Sequence, residues 1–305
     1  MLSYRHAFHA GNHADTLKHC VLLFILDYLR QKDTPLLLVD THAGGGLYDL
    51  GSEEAQKKAE YRDGIARLWE AAPEKSPEEP PPQSVSAYLE AVRAVNAEGT
   101  LRHYPGSPWL MRQRLRSGDA LRLFERHPNE ARALERKIPP RGGVRVFHED
   151  GFAKLKALLP PPSRRAFVLL DPSYETRGDY AAVPAVLKDA LTRLASGVYM
   201  VWYPRIARKE AHDLPERLKR LSAPWLSCVL HTRAPTEEGH GLYGSGLFIL
   251  NPPWTLFEEA QVLLPWLVKR LASGEKGAGW TLERGQTRAK TSAEGKKARY
   301  DADTG

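Results

Sequence analysis

The chain has 305 residues, of which 42% are apolar, and its 44 lysines and arginines against 37 aspartates and glutamates give a net charge of +7. This composition excludes a wholly disordered or collagen-like chain, and the basic balance favours a polyanionic partner such as nucleic acid. Two cysteines, Cys20 and Cys228, cannot build a disulfide framework or a zinc cluster by themselves, and without an 18-residue apolar run or a secretory leader pattern we expect a cytoplasmic protein.

Predicted helices and strands alternate along the chain. Residues 15–30 carry apolar side chains at the spacing of an amphipathic helix. Beyond it, short apolar runs predict buried strands, and helical patterns lie between most of them. The predicted strands are 36–40, 120–125, 144–150, 166–171, 198–203 and 246–251, and the clearest later helices are 181–195 and 208–221. The alternation predicts an α/β fold with a mostly parallel, doubly wound sheet.

Two intervals depart from this alternation. Residues 53–104 have helical patterning and a proline-rich loop at 73–83 but no clear strand, which predicts a small helical subdomain. We expect it to be inserted into a sheet domain formed by residues 1–52 and 105–272. Residues 273–305 are rich in glycine, lysine, arginine and threonine and show no periodicity, so we predict a mobile tail.

The first candidate for chemistry is the glycine turn that follows the first predicted strand, Gly44-Gly45-Gly46. At the carboxyl end of a parallel strand, such a turn lets the backbone approach a cofactor closely, although a plain tight turn is the alternative. The dinucleotide fingerprint is not met, because Asp49 stands in place of its third glycine, so a nicotinamide dehydrogenase fits poorly.

Acidic residues end the next two predicted strands. Glu125 comes 79 positions after Gly46 (125 minus 46), where a carboxylate can accept hydrogen bonds from ribose hydroxyls. A solvated glutamate is the alternative interpretation. Asp150-Gly151 ends the following strand, where the carboxylate can either reach an adenine amino group or cap the next helix.

The sequence Asp171-Pro172-Ser173-Tyr174 follows an apolar strand and decides the class of chemistry. It resembles the motif of amino methyltransferases that use S-adenosylmethionine. The exocyclic amine of adenine is a poor nucleophile, and an aspartate carboxylate with the following proline carbonyl can accept its two hydrogens and orient it. Tyr174 can stack on a base that has left its helix. The departure is Ser173, where the broad motif has a second proline.

A rival motif, Asn251-Pro252-Pro253-Trp254, matches the prolines of that consensus better. It follows a strand that is expected to be antiparallel, so its end points away from the cofactor edge. We interpret it as a structural strand end. The N-terminal histidines His6, His9, His13 and His19 could suggest a metal site, but no cysteine or carboxylate pattern completes a known zinc signature.

Further segments extend the resemblance, namely MLSYRHAFHAGNHADTLKH, DTHAGGGLYDLGSEEA, EYRDGIARLW, YPGSP, DGF, SRRAFVLLDPSYE, WYP and NPPW. Together they make residues 1 to about 271 similar to the RlmJ family, bacterial adenine-N6 methyltransferases of 23S ribosomal RNA. The resemblance implies a Rossmann-like class I methyltransferase fold with a helical insertion, S-adenosylmethionine as cofactor and no metal. It also implies free or partly assembled 23S ribosomal RNA as the substrate, and we expect a monomer.

By motif position, the resemblance also assigns roles to individual residues. The implied cofactor contacts are His19, His42, Ser107, Glu125, Asp150, Gly151 and Asp171. The catalytic motif comprises Asp171, Pro172 and Tyr174, and Tyr4 is implied as a substrate contact. Two other hypotheses stay open at this point. One is a DNA adenine-N6 methyltransferase, and the other is a catalytically silent RNA-binding assembly factor.

Overall fold

The computed structural model describes residues 4–70, 80–236, 241–272 and 274–286. The chain divides into two compact units, residues 1–151 and residues 152–305. No helix in the described ranges is long and apolar enough to cross a membrane.

Helix α1 (His13–Leu29) forms the centre of the first unit. The side-chain oxygen of Asn12 accepts hydrogen bonds from the backbone N–H groups of Ala14 and Asp15 and so caps the helix. All residues from Ala14 to Leu26 are buried, which includes polar side chains as well as the apolar face that the sequence predicted. A helix buried on all sides belongs to a core, so its few polar residues must find partners inside the protein.

Three parallel strands of the first unit follow the predicted pattern. They are β1 (Leu37–Asp40), β4 (Ala120–Phe124) and β5 (Val144–Phe147), in the order β1-β4-β5. Parallel strands bring their carboxyl ends to one edge. The registers pair Asp40 with Leu123 and Phe124 with Phe147, so the residues after each strand meet at that edge.

The interval predicted as a helical insertion is mostly helical. A two-stranded antiparallel ribbon of β2 and β3, which the sequence did not predict, closes it. Residues 71–79 of the proline-rich loop lie outside the described residues. In chain order the elements of this interval and the helices on either side of β4 are β2 (Leu47–Asp49), α2 (Glu53–Lys58), a 3-10 helix (Glu60–Asp63), α3 (Ile65–Glu70), α4 (Gln83–Ala94), β3 (His103–Pro105), α5 (Ser107–Gln113) and α6 (Pro128–Lys137).

The second unit contains five strands in the order β10-β8-β9-β7-β6. Strands β6 and β7 are parallel, whereas β9 is antiparallel to both β7 and β8, and β8 is antiparallel to β10. The strands and helices of this part are α7 (Gly151–Leu158), β6 (Ala166–Leu170), α8 (Arg177–Arg193), β7 (Val198–Arg205), α9 (Lys209–Leu218), β8 (Trp225–His231), β9 (Gly244–Leu250), α10 (Leu256–Leu271) and β10 (Gly279–Gly285).

The alternation and the parallel pairs confirm the predicted α/β fold class. The prediction of a tail without regular structure is wrong for Gly279–Gly285, which pairs with β8 along seven residues. Only Leu282 of β10 is buried, so the local sequence gives little sign of a strand that depends on its distant partner. Residues 287–305 of the predicted tail lie outside the described residues.

A buried carboxylate, Asp119, joins the starts of β1 and β4. Asp119 is 5% exposed, and it accepts hydrogen bonds from the Leu36 N–H at 2.8 Å and from the Arg116 guanidinium at 3.0 Å. Burial raises the pKa of Asp119, but the hydrogen bonds from Arg116 and Leu36 outweigh burial and hold that pKa below its ordinary value.

We expect Asp119→Asn to lower the free energy of unfolding by about 1–3 kcal/mol near neutral pH. A depressed folded pKa stabilises the protein above the unfolded pKa, and this contribution disappears as pH falls through the folded value. The difference in the free energy of unfolding between wild type and variant, measured by urea unfolding, should therefore become smaller as the pH falls. Asp63→Asn is the control, because Asp63 is 70% exposed in its pair with Arg67 and its loss should change little. A gap that stays constant with pH would contradict this role.

Candidate cofactor and substrate site

The Glu125 carboxylate holds the glycine turn after β1 by accepting backbone hydrogen bonds. Gly44 N–H donates to Glu125 Oε2 at 2.9 Å, and His127 N–H donates to Oε1 of the same carboxylate at 2.7 Å. Gly44 has φ +61°, and a Cβ there would lie 2.4 Å from the Tyr48 hydroxyl, so the turn requires glycine. The sequence predicted both Gly44 and Glu125, and the structure places them in direct contact.

Tyr48 is a functional candidate that the sequence analysis missed. It is 5% exposed, and its hydroxyl accepts the Gly45 N–H at 2.9 Å. The ring of His6 lies 5.1 Å from the Tyr48 ring, and the Tyr4 hydroxyl lies 2.8 Å from His6 Nδ1. The implied substrate contact Tyr4 is thus joined through His6 and Tyr48 to the glycine turn. The only sequence signal for Tyr48 is an aromatic residue two positions after the last of the three glycines.

A buried carboxylate, Asp15, organises the N-terminal segment. It is 1% exposed and pairs with His6 Nε2 at 2.9 Å and with Lys18 Nζ at 2.8 Å. Burial raises the pKa of Asp15, yet His6 and Lys18 outweigh burial and hold it well below its ordinary value. His9 pairs with Glu60 in the same segment. The described residues contain no group of three or more histidine, cysteine and carboxylate side chains that could hold a metal ion.

His19 lies at the inner end of this segment and is 1% exposed. Its Nδ1 lies 2.8 Å from the Tyr104 hydroxyl, which in turn lies 3.0 Å from the Tyr88 hydroxyl. Burial lowers the pKa of His19 to about 3 against the opposing pull of Asp15, so the ring is neutral. Its Nε2 is buried and has no hydrogen-bond partner among the described residues.

Asp40 and Ser107 meet at the carboxyl end of β1. Asp40 is fully buried, and it accepts hydrogen bonds from the Ser107 hydroxyl at 2.7 Å and from the His42 N–H at 3.1 Å. The His42 ring is half-buried, with Nδ1 2.9 Å from the Thr41 hydroxyl. Ser107 begins α5, so its bond to Asp40 fixes the point at which the chain returns after residues 53–104, the predicted insertion.

Asp150 and Gly151 follow β5 at the same edge. Asp150 is 40% exposed and pairs loosely with Arg126 at 3.4 Å. A Cβ on Gly151 would lie 2.4 Å from the Thr41 carbonyl oxygen, so α7 begins against the end of β1 only because residue 151 has no side chain. The structure therefore gathers Asp40, Ser107, Gly151 and the glycine turn around one strand end.

The Asp171-Pro172-Ser173-Tyr174 loop follows β6 in the second unit. Asp171 is half-buried, whereas Tyr174 is 3% exposed and lies in the left-handed region with φ +54°. The Tyr174 hydroxyl donates to the Trp202 carbonyl at 2.8 Å, and Arg208 donates to the Tyr174 carbonyl at 3.2 Å. The ring packs 4.6 Å from that of Tyr180. These contacts hold the loop, and they leave the ring less open to a base than the sequence suggested.

The rival motif is built into the fold by Asn251. Its side-chain N–H₂ donates to the carbonyls of Ala195 and Gly197, both at 2.7 Å, and β9 before it is antiparallel to β7. The amide therefore ties the end of β9 to the start of β7. These contacts agree with the structural interpretation of Asn251, although Trp254 beyond it is 75% exposed.

The residues of the first unit fit S-adenosylmethionine. The Glu125 carboxylate has about four acceptor positions, of which two backbone N–H groups use two, so acceptors remain for the two ribose hydroxyls. The unpartnered Nε2 of His19 offers a further polar contact inside the unit.

Comparisons with known proteins bear on the whole chain. The model of the family described as "Ribosomal RNA large subunit methyltransferase D, RlmJ" matches residues 33–283. The "Ribosomal RNA large subunit methyltransferase J" of Escherichia coli K12 is 41% identical over 277 residues, which cover 91% of this chain and 96% of that relative. The protein with the same description from Haemophilus influenzae is 38% identical over 287 residues, 93% of this chain and 98% of the relative.

A solved structure is also similar over nearly its full length. Protein LPL1258 from Legionella pneumophila is 34% identical with a TM-score of 0.80, and the match covers 92% of this chain and 99% of that one. The fold described above is therefore shared with an experimentally determined structure.

We expect Glu125→Ala to weaken binding of S-adenosylmethionine at least tenfold while turnover at saturating cofactor changes less, because the predicted partner of the carboxylate is the ribose and not the methyl group. Isothermal titration measures the first quantity and steady-state kinetics the second. Burial raises the pKa of Glu125, so cofactor affinity should begin to fall on acidification at a higher pH than an ordinary glutamate allows. Glu135→Ala, on the exposed side of α6, is the control. An unchanged dissociation constant would remove Glu125 from this role.

Proposed function

The chain belongs to the RlmJ family of ribosomal RNA large-subunit methyltransferases, and from this membership we propose that it transfers a methyl group from S-adenosylmethionine to the N6 amine of an adenine in 23S ribosomal RNA. The membership confirms the family that the sequence motifs indicated, and it makes the chain an enzyme that uses S-adenosylmethionine. The family match over most of the chain carries the proposal. The adenine amine as acceptor is supported by the motif at Asp171.

Asp171 and Pro172 act on the target amine in this proposal. S-adenosylmethionine, when bound, supplies an electrophilic methyl group on a sulfonium centre. The Asp171 carboxylate and the Pro172 carbonyl accept the two amine hydrogens, which turns the nitrogen lone pair toward that methyl group. As the nitrogen–carbon bond forms, the carbon–sulfur bond of the methyl donor would break and leave its sulfur as a neutral thioether. The Asp171 carboxylate is placed to stabilise the positive charge that develops on the nitrogen, and the amine proton then passes to solvent.

Tyr174 completes the motif, and we assign it chiefly to holding the loop. Its hydroxyl and its carbonyl are both engaged within the second unit, by Trp202 and Arg208. Stacking of its ring on the adenine requires one ring face to be uncovered from its contact with Tyr180. The left-handed backbone at Tyr174 costs free energy, and these contacts offset that cost.

On the cofactor side, we propose that Glu125 binds the ribose hydroxyls and that Asp150 accepts a hydrogen bond from the adenine amino group of the cofactor. His19, His42, Ser107, Gly151 and Asp171 complete the proposed cofactor set. Tyr4 contacts the RNA base, and the bond to His6 supports its side chain.

A DNA adenine methyltransferase and a silent assembly factor stay as alternatives to be tested. Methylation of a 23S ribosomal RNA transcript, compared with DNA of the same sequence, separates the first alternative from the proposal. Calorimetry with S-adenosylmethionine separates the second, since a silent factor need not bind it. Mass mapping of methylated nucleotides in ribosomal RNA from a deletion strain then identifies the adenine.

We expect Asp171→Ala to abolish methyl transfer to a 23S transcript and to leave the melting temperature unchanged, because the substitution removes an acceptor at the amine. Asp189→Ala, at an exposed carboxylate of α8 paired with Arg193, is the matched control and should keep full activity. Transfer within tenfold of wild type, about 1.4 kcal/mol of barrier, would exclude Asp171 as the catalytic residue.

Ser173→Pro should be tolerated and slightly stabilising, by about 0.4–1 kcal/mol, because proline restricts the unfolded chain. Ser173 makes no hydrogen bond with the described residues, so proline removes no contact within the protein. Melting temperature and single-turnover rate are measured together. A hundredfold slower transfer with an unchanged melting temperature would instead show that residue 173 positions the base.

A further inference from the structure

Three cationic or titratable side chains converge at the carboxyl end of β7, outside the residues assigned above. The strand registers pair Arg205 of β7 with Gly244 of β9, and Gly244 in turn with His231 of β8. Directly paired residues on neighbouring strands place their side chains on the same face of a sheet. Arg205 and His231 therefore flank Gly244 on one face, and His212 of α9 lies beside them, with Nδ1 3.5 Å from an Arg205 nitrogen.

Gly244 makes room for this arrangement. A Cβ at this position would lie 2.3 Å from the Leu230 carbonyl oxygen and 2.8 Å from Cδ2 of the His231 ring. The His231 ring thus occupies the space that a side chain in the middle strand would fill. It also lies 5.8 Å from the ring of Tyr243, whose hydroxyl lies 3.5 Å from His212 Nε2.

Arg205 brings a positive charge to the cluster, and no carboxylate of the described residues pairs with it. Neither Arg205 nor His231 forms an ion pair with any described residue, and Arg205 Nε and His231 Nε2 are buried without hydrogen-bond partners there. Burial, together with Arg205 and His212, lowers the pKa of His231 to about 4. Among the described carboxylates, Asp213 acts on His212, and Asp213 pairs with Lys209. A buried donor without an acceptor destabilises a fold, and a phosphate oxygen at this place would accept a hydrogen bond from Arg205 Nε.

We propose that Arg205, His212 and His231 form a binding site for a backbone phosphate of the RNA strand, next to the nucleotide that is methylated. The proposal rests on the proposed function for the identity of the polyanion, and the net charge of +7 agrees with it. An arginine with neighbouring imidazoles offers several N–H donors to phosphate oxygens.

The position of the cluster relative to the Asp171 loop supports this choice. Strands β6 and β7 are parallel, so the loop after β6 and the cluster after β7 lie at the same strand ends. The Tyr174 hydroxyl bonds the carbonyl of Trp202, which stands three residues before Arg205, or roughly 10 Å along the strand. Arg208, just beyond the cluster, bonds the Tyr174 carbonyl. A phosphate held here therefore lies close to the loop that receives the target base.

The test compares RNA binding of three variants with wild type, with a short single-stranded RNA that contains one central adenosine as the probe. Arg205→Gln should weaken binding about tenfold or more and lower the slope of log affinity against log salt by about 0.7, the value for one phosphate contact on a single strand. Arg205→Lys should keep the slope because it keeps the charge. Arg193→Gln removes the same charge near the start of β7 and should change neither quantity.

A second readout follows the His231 ring by nuclear magnetic resonance during titration with the same RNA. A bound phosphate favours the imidazolium form, so the pKa of His231 should rise from about 4. It should not rise in Arg205→Gln. This measurement is made on folded protein, so it also shows whether each variant has kept its structure.

Some outcomes overturn the inference. An unchanged salt slope in Arg205→Gln, an equal loss in Arg193→Gln, or a His231 pKa that RNA does not shift would each exclude the phosphate site. These failures are distinguishable from failure of the proposed function. If the wild-type enzyme methylates the 23S transcript and Arg205→Gln binds RNA as tightly as wild type, only the phosphate site is excluded. If the wild-type protein binds RNA through Arg205 but transfers no methyl group, only the proposed reaction is excluded.

Discussion

The buried carboxylate of Asp40 is the constraint on which the first unit depends. A buried polar group is unfavourable unless hydrogen bonds replace its lost water, and the Ser107 hydroxyl and the His42 N–H both donate to Asp40. These two donors come from opposite sides of residues 53–104. The hydrogen bonds to Asp40 therefore fix where the chain leaves β1 and where it returns at the start of α5. The glycine turn starts from this anchored point, which is why the Gly44 N–H meets Glu125, a residue 81 positions later in the chain.

Pairing of buried polar groups also explains why the N-terminal segment is rich in polar residues although it is packed inside. Asp15 holds His6 and Lys18, and His19 stays neutral because burial lowers its pKa to about 3. A neutral imidazole can accept as well as donate a hydrogen bond, whereas an imidazolium would place a second cation beside Lys18. The segment thus combines a strongly paired charge with an uncharged histidine, and this combination suits contact with a positively charged sulfonium cofactor.

Much of the fold could be predicted because each buried strand is a short apolar run, as in residues 36–40 and 166–171, and because helical patterns separate most of these runs. Glu125 was predictable because carboxyl ends of parallel strands share an edge. Strand β10 and the burial of Tyr174 were not, because both depend on residues distant in the chain. The pairing of β10 is decided by β8, and Trp202 and Tyr180 decide where the Tyr174 ring lies. Local sequence carries no record of such partners.

The contacts of Tyr174 give a structural reason for expecting that the motif works with serine at its third position. Proline at residue 173 would stiffen the loop by fixing one backbone angle. In this chain, stiffness comes instead from Tyr174, whose φ of +54° is sustained by the Trp202 carbonyl, the Arg208 guanidinium and the Tyr180 ring. A left-handed tyrosine costs on the order of 1–2 kcal/mol, so these contacts must be strong enough to hold it. The side-chain contacts of Tyr174 then make the loop rigid, so a proline at residue 173 is not needed for rigidity.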